Sequence, residues 1–122
     1  MTQIYLRLTA PASRAPEILL TLEAIRLPAE LDRDCVSTHL GVDAQDPDVV
    51  VYLEEWLSAE GLERRVASTN FRGLLSILEM AAEPPILEFR EMTRVRGLEY
   101  VASVRHVDDA VDAAADGRRL PA

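Results

Sequence analysis

The sequence predicts an α+β domain in which helices cover one face of an antiparallel sheet. Residues 3–8 and Cys35–Val42 alternate apolar and polar side chains with the period of a strand, whereas Ala15 to Ile25 and Phe71 to Leu78 repeat apolar residues at helical spacing. The order along the chain is strand, helix, strand, strand, helix, strand. With 122 residues, 48% of them hydrophobic, the chain suits one such domain with a core of its own.

Each element has its own signature. In residues 3–8, Ile4, Leu6 and Leu8 alternate with Gln3, Tyr5 and Arg7, giving a strand with one buried face. Pro11 and Pro16 bracket a helix start with Ser13 as its cap. Ala15, Ile18, Leu19, Leu22 and Ile25 then carry that helix to an end near Pro28. Cys35–Val42 alternates again, with Val36, Thr38, Leu40 and Val42 on one face and Cys35, Ser37, His39 and Gly41 on the other. Residues 43–48, DAQDPD, have turn composition, and two strands so close in sequence pair most economically as a hairpin. The third strand, Val49–Trp56, opens with an unbroken apolar and aromatic run, a sign of burial on both faces.

Ser58 caps the next helix, in which Leu62 and Val66 lie four apart among Glu60, Glu63, Arg64 and Arg65. Ser68 or Thr69 starts another helical piece whose stripe is Phe71, Leu74, Leu75 and Leu78, ended by Pro84 and Pro85. Residues 86–94 and Leu98–Val104 read as two further strands about Arg96 and Gly97, the second an edge or partner-subunit strand. Residues 106–122, rich in Ala and Asp, are expected to be partly disordered, with one short helix at 108–115. The folded domain is therefore expected at 1–104 and a tail at 105–122.

This order is the split arrangement of a ferredoxin-like fold. One chain's helices cover one face of the sheet, yet residues 49–53 are apolar on both. Face-to-face pairing of two sheets, a homodimeric alpha-beta barrel, covers the second face.

The charge balance narrows the partners. Thirteen Lys and Arg against 21 Asp and Glu give a net charge of −8, which repels phosphate backbones and anionic headgroups, so neither nucleic acid nor membrane is expected as a partner. The lone Cys35 cannot form an internal disulfide, and the start MTQIYLRL alternates like a strand instead of joining a basic region to a long apolar core. No apolar run approaches the roughly eighteen residues of a membrane span. A cytoplasmic protein is expected.

The segment Tyr52-Leu53-Glu54-Glu55-Trp56-Leu57-Ser58-Ala59-Glu60-Gly61-Leu62, continued by Ser68-Thr69-Asn70-Phe71, resembles the antibiotic biosynthesis monooxygenase (ABM) family of dimeric alpha-beta barrels. The shared features are a Glu-x-Trp strand end, a Ser-x-Glu helix start and a Ser-x-x-Phe second start, and the resemblance spans residues 3–94. It implies oxygenation of quinols or polycyclic anthrones without metal or prosthetic group; relatives degrade haem or have no known activity. Where the family often has a histidine, nine residues after the tryptophan, this chain has Arg65. The asparagine and histidine implied for haem degradation are missing from the first strand and the helix, so that activity is not expected. The resemblance thus implies a cofactor-free monooxygenase acting on a small hydroxylated aromatic or quinol. The competing expectation is a non-catalytic small-ligand-binding or structural module on the same fold.

Such oxygenation needs a dry cavity, a proton acceptor and donors that hold the substrate anion. The expected catalytic residues are His39, Trp56 and Arg65, and the expected substrate contacts are Tyr52, Glu54, Asn70, Phe71 and Arg72. Each also has a structural reading. Trp56 stacks on a ring or packs at a strand end. His39 is a base or a solvated surface residue. Arg65 holds a phenolate or pairs with Glu60 or Glu63 on the helix surface. Asn70 and Arg72 flank Phe71 at a pocket mouth, or Asn70 begins a helix. Tyr52 and Glu54 share the face of Trp56, and a buried Glu54 must be paired or protonated, as an ion-pair member or an acid-base group. There is no phosphate-cradling glycine loop, no His/Cys metal spacing and no distinctive Ser/His/Asp order. No cofactor or metal is therefore expected, and Cys35 reads as a small buried residue.

Overall fold

A computed structural model describes residues 1–106. The strands β1 (Thr2–Thr9), β2 (Cys35–Val42), β3 (Val49–Trp56) and β4 (Ile86–Glu91) form one sheet in the order β2-β3-β1-β4. All three pairings are antiparallel. Helices α1 (Ala15–Glu30), α2 (Ala59–Val66) and α3 (Arg72–Leu78) complete the ferredoxin-like α+β unit, which spans Met1–Met92. A second unit, Thr93–Ala122, has α4 (Leu98–Val104) in its described part. The short helix expected at 108–115, and all but His106 of the segment 106–122 expected to be partly disordered, lie outside the described residues. No helix among the described residues is long and apolar enough to cross a membrane.

The alternation of β1 sets the layers. Ile4, Leu6 and Leu8 are buried with Ile18, Leu22 and Ile25 of α1, and Leu74 and Ile77 of α3 join the same core. The register places Leu8, Leu6 and Ile4 opposite Val50, Tyr52 and Glu54 of β3, so those three share the helix-covered face. The opposite face carries Gln3, Tyr5, Arg7, Val51, Leu53 and Glu55, all half-buried. With strands pairing in this register, any one-residue slip would exchange the two sets, so the alternation fixes which side chains meet the helices.

Several expectations need correction. α1 runs through Pro28 to Glu30, and its N-cap is Arg14 without a side-chain cap bond, so Ser13 plays no such role. In α2 the buried residues are Gly61 and Arg65, while Val66 is 37% exposed. Phe71, the N-cap of α3, and Leu74 and Ile77 form the buried stripe with Leu78 packed against the core as expected, but Leu75 points outward. β4 stops at Glu91, short of the expected 94, and Leu98–Val104 is a helix, not a strand. Its apolar residues Leu98, Val101 and Val104 recur at three, a helical spacing, and Glu99 accepts from the Gly97 N–H at 2.8 Å at its start. In β2 the register shifts between Cys35 and Ser37, with Cys35 opposite Trp56 and Ser37 opposite Glu55. That bulge turns Cys35 to the helix-covered face and leaves Ser37 and His39 on the other.

Candidate functional site

The helix-covered face of β3 carries Tyr52, Glu54 and Trp56 at two-residue spacing, so their side chains stand in a row. Glu54 is fully buried, and its carboxylate is the centre of the row. The Tyr52 hydroxyl donates to Oε2 at 2.5 Å, and the Trp56 indole N–H donates to Oε1 at 3.0 Å. Two neutral donors are too little for a buried carboxylate, and a cation must complete it.

Arg65 of α2 supplies that cation. Its Nε donates to Glu54 Oε1 at 2.9 Å and its Nη2 to Oε2 at 2.8 Å, a bidentate pair in which Arg65 is only 6% exposed. Nη2 also donates to the Ile25 carbonyl at 2.9 Å, and Nη1 to Asn70 Oδ1 at 2.5 Å. The guanidinium lies 5.9 Å from the centre of the Phe71 ring. Every buried side-chain nitrogen and oxygen among the described residues has a partner.

Local sequence explains how α2 delivers Arg65 inward. Ser58 caps the helix by accepting from the Gly61 N–H at 3.1 Å. Gly61, one turn before Arg65, faces the same way. A Cβ on it would sit 3.1 Å from Cβ of Asp34 and 3.4 Å from Cε3 of Trp56, a tight fit that a larger residue could take only if these neighbours gave way by a few tenths of an ångström. The next residue, Arg64, is exposed and bridges Asp32 and Asp34 at 3.0 Å each, latching the outer side of α2 to the α1–β2 loop.

Burial and the Glu54 charge together push the Tyr52 hydroxyl far above the ordinary phenol range, so it stays protonated and remains a donor. The Cys35 thiol is pushed up to about 11, first by burial and then by the same charge. For Arg65, burial alone would lower the pKa, but the hydrogen bonds and charge of Glu54 outweigh it and the value rises. The unit is a charged, closed ion pair with two neutral donors.

Five of the eight candidate residues meet here directly: Tyr52, Glu54, Trp56, Arg65 and Asn70, with Phe71 beside the guanidinium. His39 is exposed and lies on the opposite sheet face with Ser37 and Glu55; Arg72 is exposed. Ser37 and Gln3 bond Glu55, and together with the nearby charge of His39 they hold its carboxyl below the usual range. The surface pairing of Arg65 with Glu60 or Glu63 is not formed. The Ile25 carbonyl and Gly61 were not foreseen; the clue to Gly61 was its lying four before Arg65, on one helix face, whereas the Ile25 carbonyl meets Arg65 only through packing of α1 and left no sequence signal. A surface depression of about 320 Å³ beside His39 is lined by Glu23, Arg26, Thr38 and Leu40, and its arginine is already paired with Glu23 and Glu30. No group of three His, Cys, Asp or Glu among the described residues is placed to hold a metal ion.

A protein from Deinococcus radiodurans described as a putative antibiotic biosynthesis monooxygenase superposes with a TM-score of 0.71 at 15% identity, covering 80% of this chain and 97% of its own. A further antibiotic biosynthesis monooxygenase superposes at 0.66 and 18% identity, over 77% of this chain and 100% of the other. The chain has the ABM fold. A conserved protein from Methanosarcina mazei Go1 also shares it, with a TM-score of 0.68 at 13% identity over 75% and 92% of the two chains. No family model matches the sequence, and no curated protein does. On this ABM fold the strand-end Glu-x-Trp and the α2 arginine are joined in one buried ion pair.

Proposed function

We propose that the protein is a homodimeric ABM-fold module whose helix-side interior serves structure, not oxygenation. The observation that carries this reading is the Glu54–Arg65 pair. Each oxygen of Glu54 already accepts from a neutral donor and from Arg65, and Tyr52, Glu54, Trp56 and Arg65 are 0–6% exposed. Cofactor-free oxygenation requires a vacant proton acceptor beside the substrate. Glu54 is fully engaged, the Tyr52 phenol is held protonated, and His39 faces the other way. Trp56, at 1% exposure, presents no open face against which a planar ring could lie.

The dimer is supported by the second sheet face, where Tyr5, Val51 and Leu53 form a half-buried apolar strip that a second sheet would cover. Net charge −8 argues against nucleic acid and anionic membranes as partners, and the single unpaired Cys35 fits a cytoplasmic setting.

A second reading, oxygenation of a small hydroxylated aromatic, is favoured by the solved structures named as monooxygenases and by the convergence of Tyr52, Glu54, Trp56 and Arg65 on one point. Dioxygen uptake with a panel of anthrones and quinols separates the two. No uptake above the uncatalysed rate is expected; saturable uptake above that rate by the unaltered protein would favour the oxygenase.

A further inference from the structure

We propose that the groove between α2 and the outer strand β4 binds a small hydrophobic cation, an amine carried on an aromatic or aliphatic body. The groove has a volume of about 330 Å³ and is lined by Leu62, Glu63, Val66, Ala67 and Phe89. A recess of about 90 Å³ shares Leu62, Glu63 and Phe89 with it and adds Thr2 and Glu91. Phe89 is 49% exposed, which is a large apolar surface left in water on an otherwise well-packed side of the sheet. The volume falls at the lower end of small-ligand sites, about 300–1,000 Å³.

The sign of the ligand follows from the rim. Among the described residues the carboxylates of Glu63 and Glu91 have no hydrogen-bond or ion-pair partner. Arg90, the one cation lining the recess, donates to Glu88 and stacks 4.0 Å over Tyr5, whose side chain belongs to the opposite sheet face. Its charge is therefore neutralised and turned away. An anion entering the groove would meet two uncompensated carboxylates on a chain of charge −8, whereas an ammonium group would sit between them with its hydrocarbon body on Phe89 and Leu62. This site uses the flank of α2 that carries Leu62 and Val66; the interior ion pair uses the flank that carries Gly61 and Arg65, so the two are independent.

The test is titration of 1-naphthylmethylamine into the isotope-labelled full chain at pH 7, followed by amide shifts, with 1-naphthoate as the ring-matched anion. The amine is expected to bind saturably, shifting Leu62, Val66, Ala67 and Phe89, and about tenfold more tightly than the naphthoate. Glu63→Gln is expected to weaken the amine roughly threefold. Val66→Trp, at an exposed position that tolerates bulk, is expected to fill the groove and abolish binding. Equal binding of amine and naphthoate, shifts confined to other surfaces, or no saturation at millimolar amine would overturn the proposal.

Discussion

Replacing Arg65 by methionine tests the interior ion pair most severely. The substitution keeps the apolar stem but leaves Glu54, with no exposed surface, holding a charge against two neutral donors. It also strips the donors from the Ile25 carbonyl and from Asn70. Breaking a buried pair in this way costs about 3–5 kcal/mol, against about 0.2–1 kcal/mol for a pair on the surface. For a domain whose total stability is about 5–15 kcal/mol, that is a large fraction. With a urea slope of about 1–3 kcal/mol per molar, the unfolding midpoint should fall by about 2 M. The double variant Glu54→Gln, Arg65→Met removes the stranded charge and should recover part of the loss, giving a coupling energy of about 2 kcal/mol. A loss below about 1 kcal/mol for Arg65→Met, with no coupling to Glu54, would refute the reasoning, because it would place the pair in water.

Tyr52→Phe removes one donor from the same carboxylate and should cost about 1.5–3 kcal/mol in urea unfolding, without loss of ring packing. Cys35, with its thiol pushed up to about 11, should react with a disulfide reagent more slowly than free cysteine at pH 8 and accelerate only as the pH approaches that value. Asp32 is held low by the Asp34 N–H and by Arg64, Asp43 by the Gln45 N–H and by Arg7, and Glu55 by Ser37 and Gln3. Because these folded-state values lie below the unfolded ones, about 3.9 and 4.3, the stability they give is present above that range and lost as pH falls through the folded values. Urea midpoints measured from pH 7 to pH 2 should therefore drop on the acid side, and drop less in a variant with Asp32→Asn, Asp43→Asn and Glu55→Gln. Light scattering on a sizing column at micromolar concentration should give twice the chain mass; a monomer would remove the argument from the apolar strip on the second sheet face.

Much of the fold was legible because the strands obey a strict period. The alternation of Ile4, Leu6 and Leu8 places β1, and the same rule places Tyr52, Glu54 and Trp56 in one row. Short helices were harder. α2 has only two turns, and its most apolar residues, Leu62 and Val66, sit on the less buried flank because Gly61 and Arg65 face Trp56 and Glu54. A polar residue turned inward contradicts hydrophobic periodicity, and its reason lies on another element, at Glu54. The β2 bulge was illegible for a related reason: alternation read from one strand cannot show an extra residue, which exists only relative to the partner strand. For Leu98–Val104, β-branched and aromatic residues suggested a strand although their spacing of three suited a helix.

The candidate site divides along the same line. Its strand members were placed correctly on one face, and the partner of Arg65 was not, because helix-surface partners such as Glu60 and Glu63 are close in sequence while Glu54 is close only after folding. His39 was read on one strand face with Ser37 and Cys35, as a base or a solvated surface residue; the register shift after Cys35 leaves it exposed on the face opposite Trp56.

Hydrogen exchange of the Trp56 indole N–H and the Arg65 Nε–H, followed by NMR, reads the closure of the interior directly. Both protons are expected to exchange only on global unfolding, many orders of magnitude more slowly than in free amino acids, with Arg65 and Trp56 equally protected. Exchange of either within seconds under native conditions, while the core amides of β1 and β3 stay protected, would mean that the Glu54–Arg65 pair opens to solvent and that the interior is a working cleft.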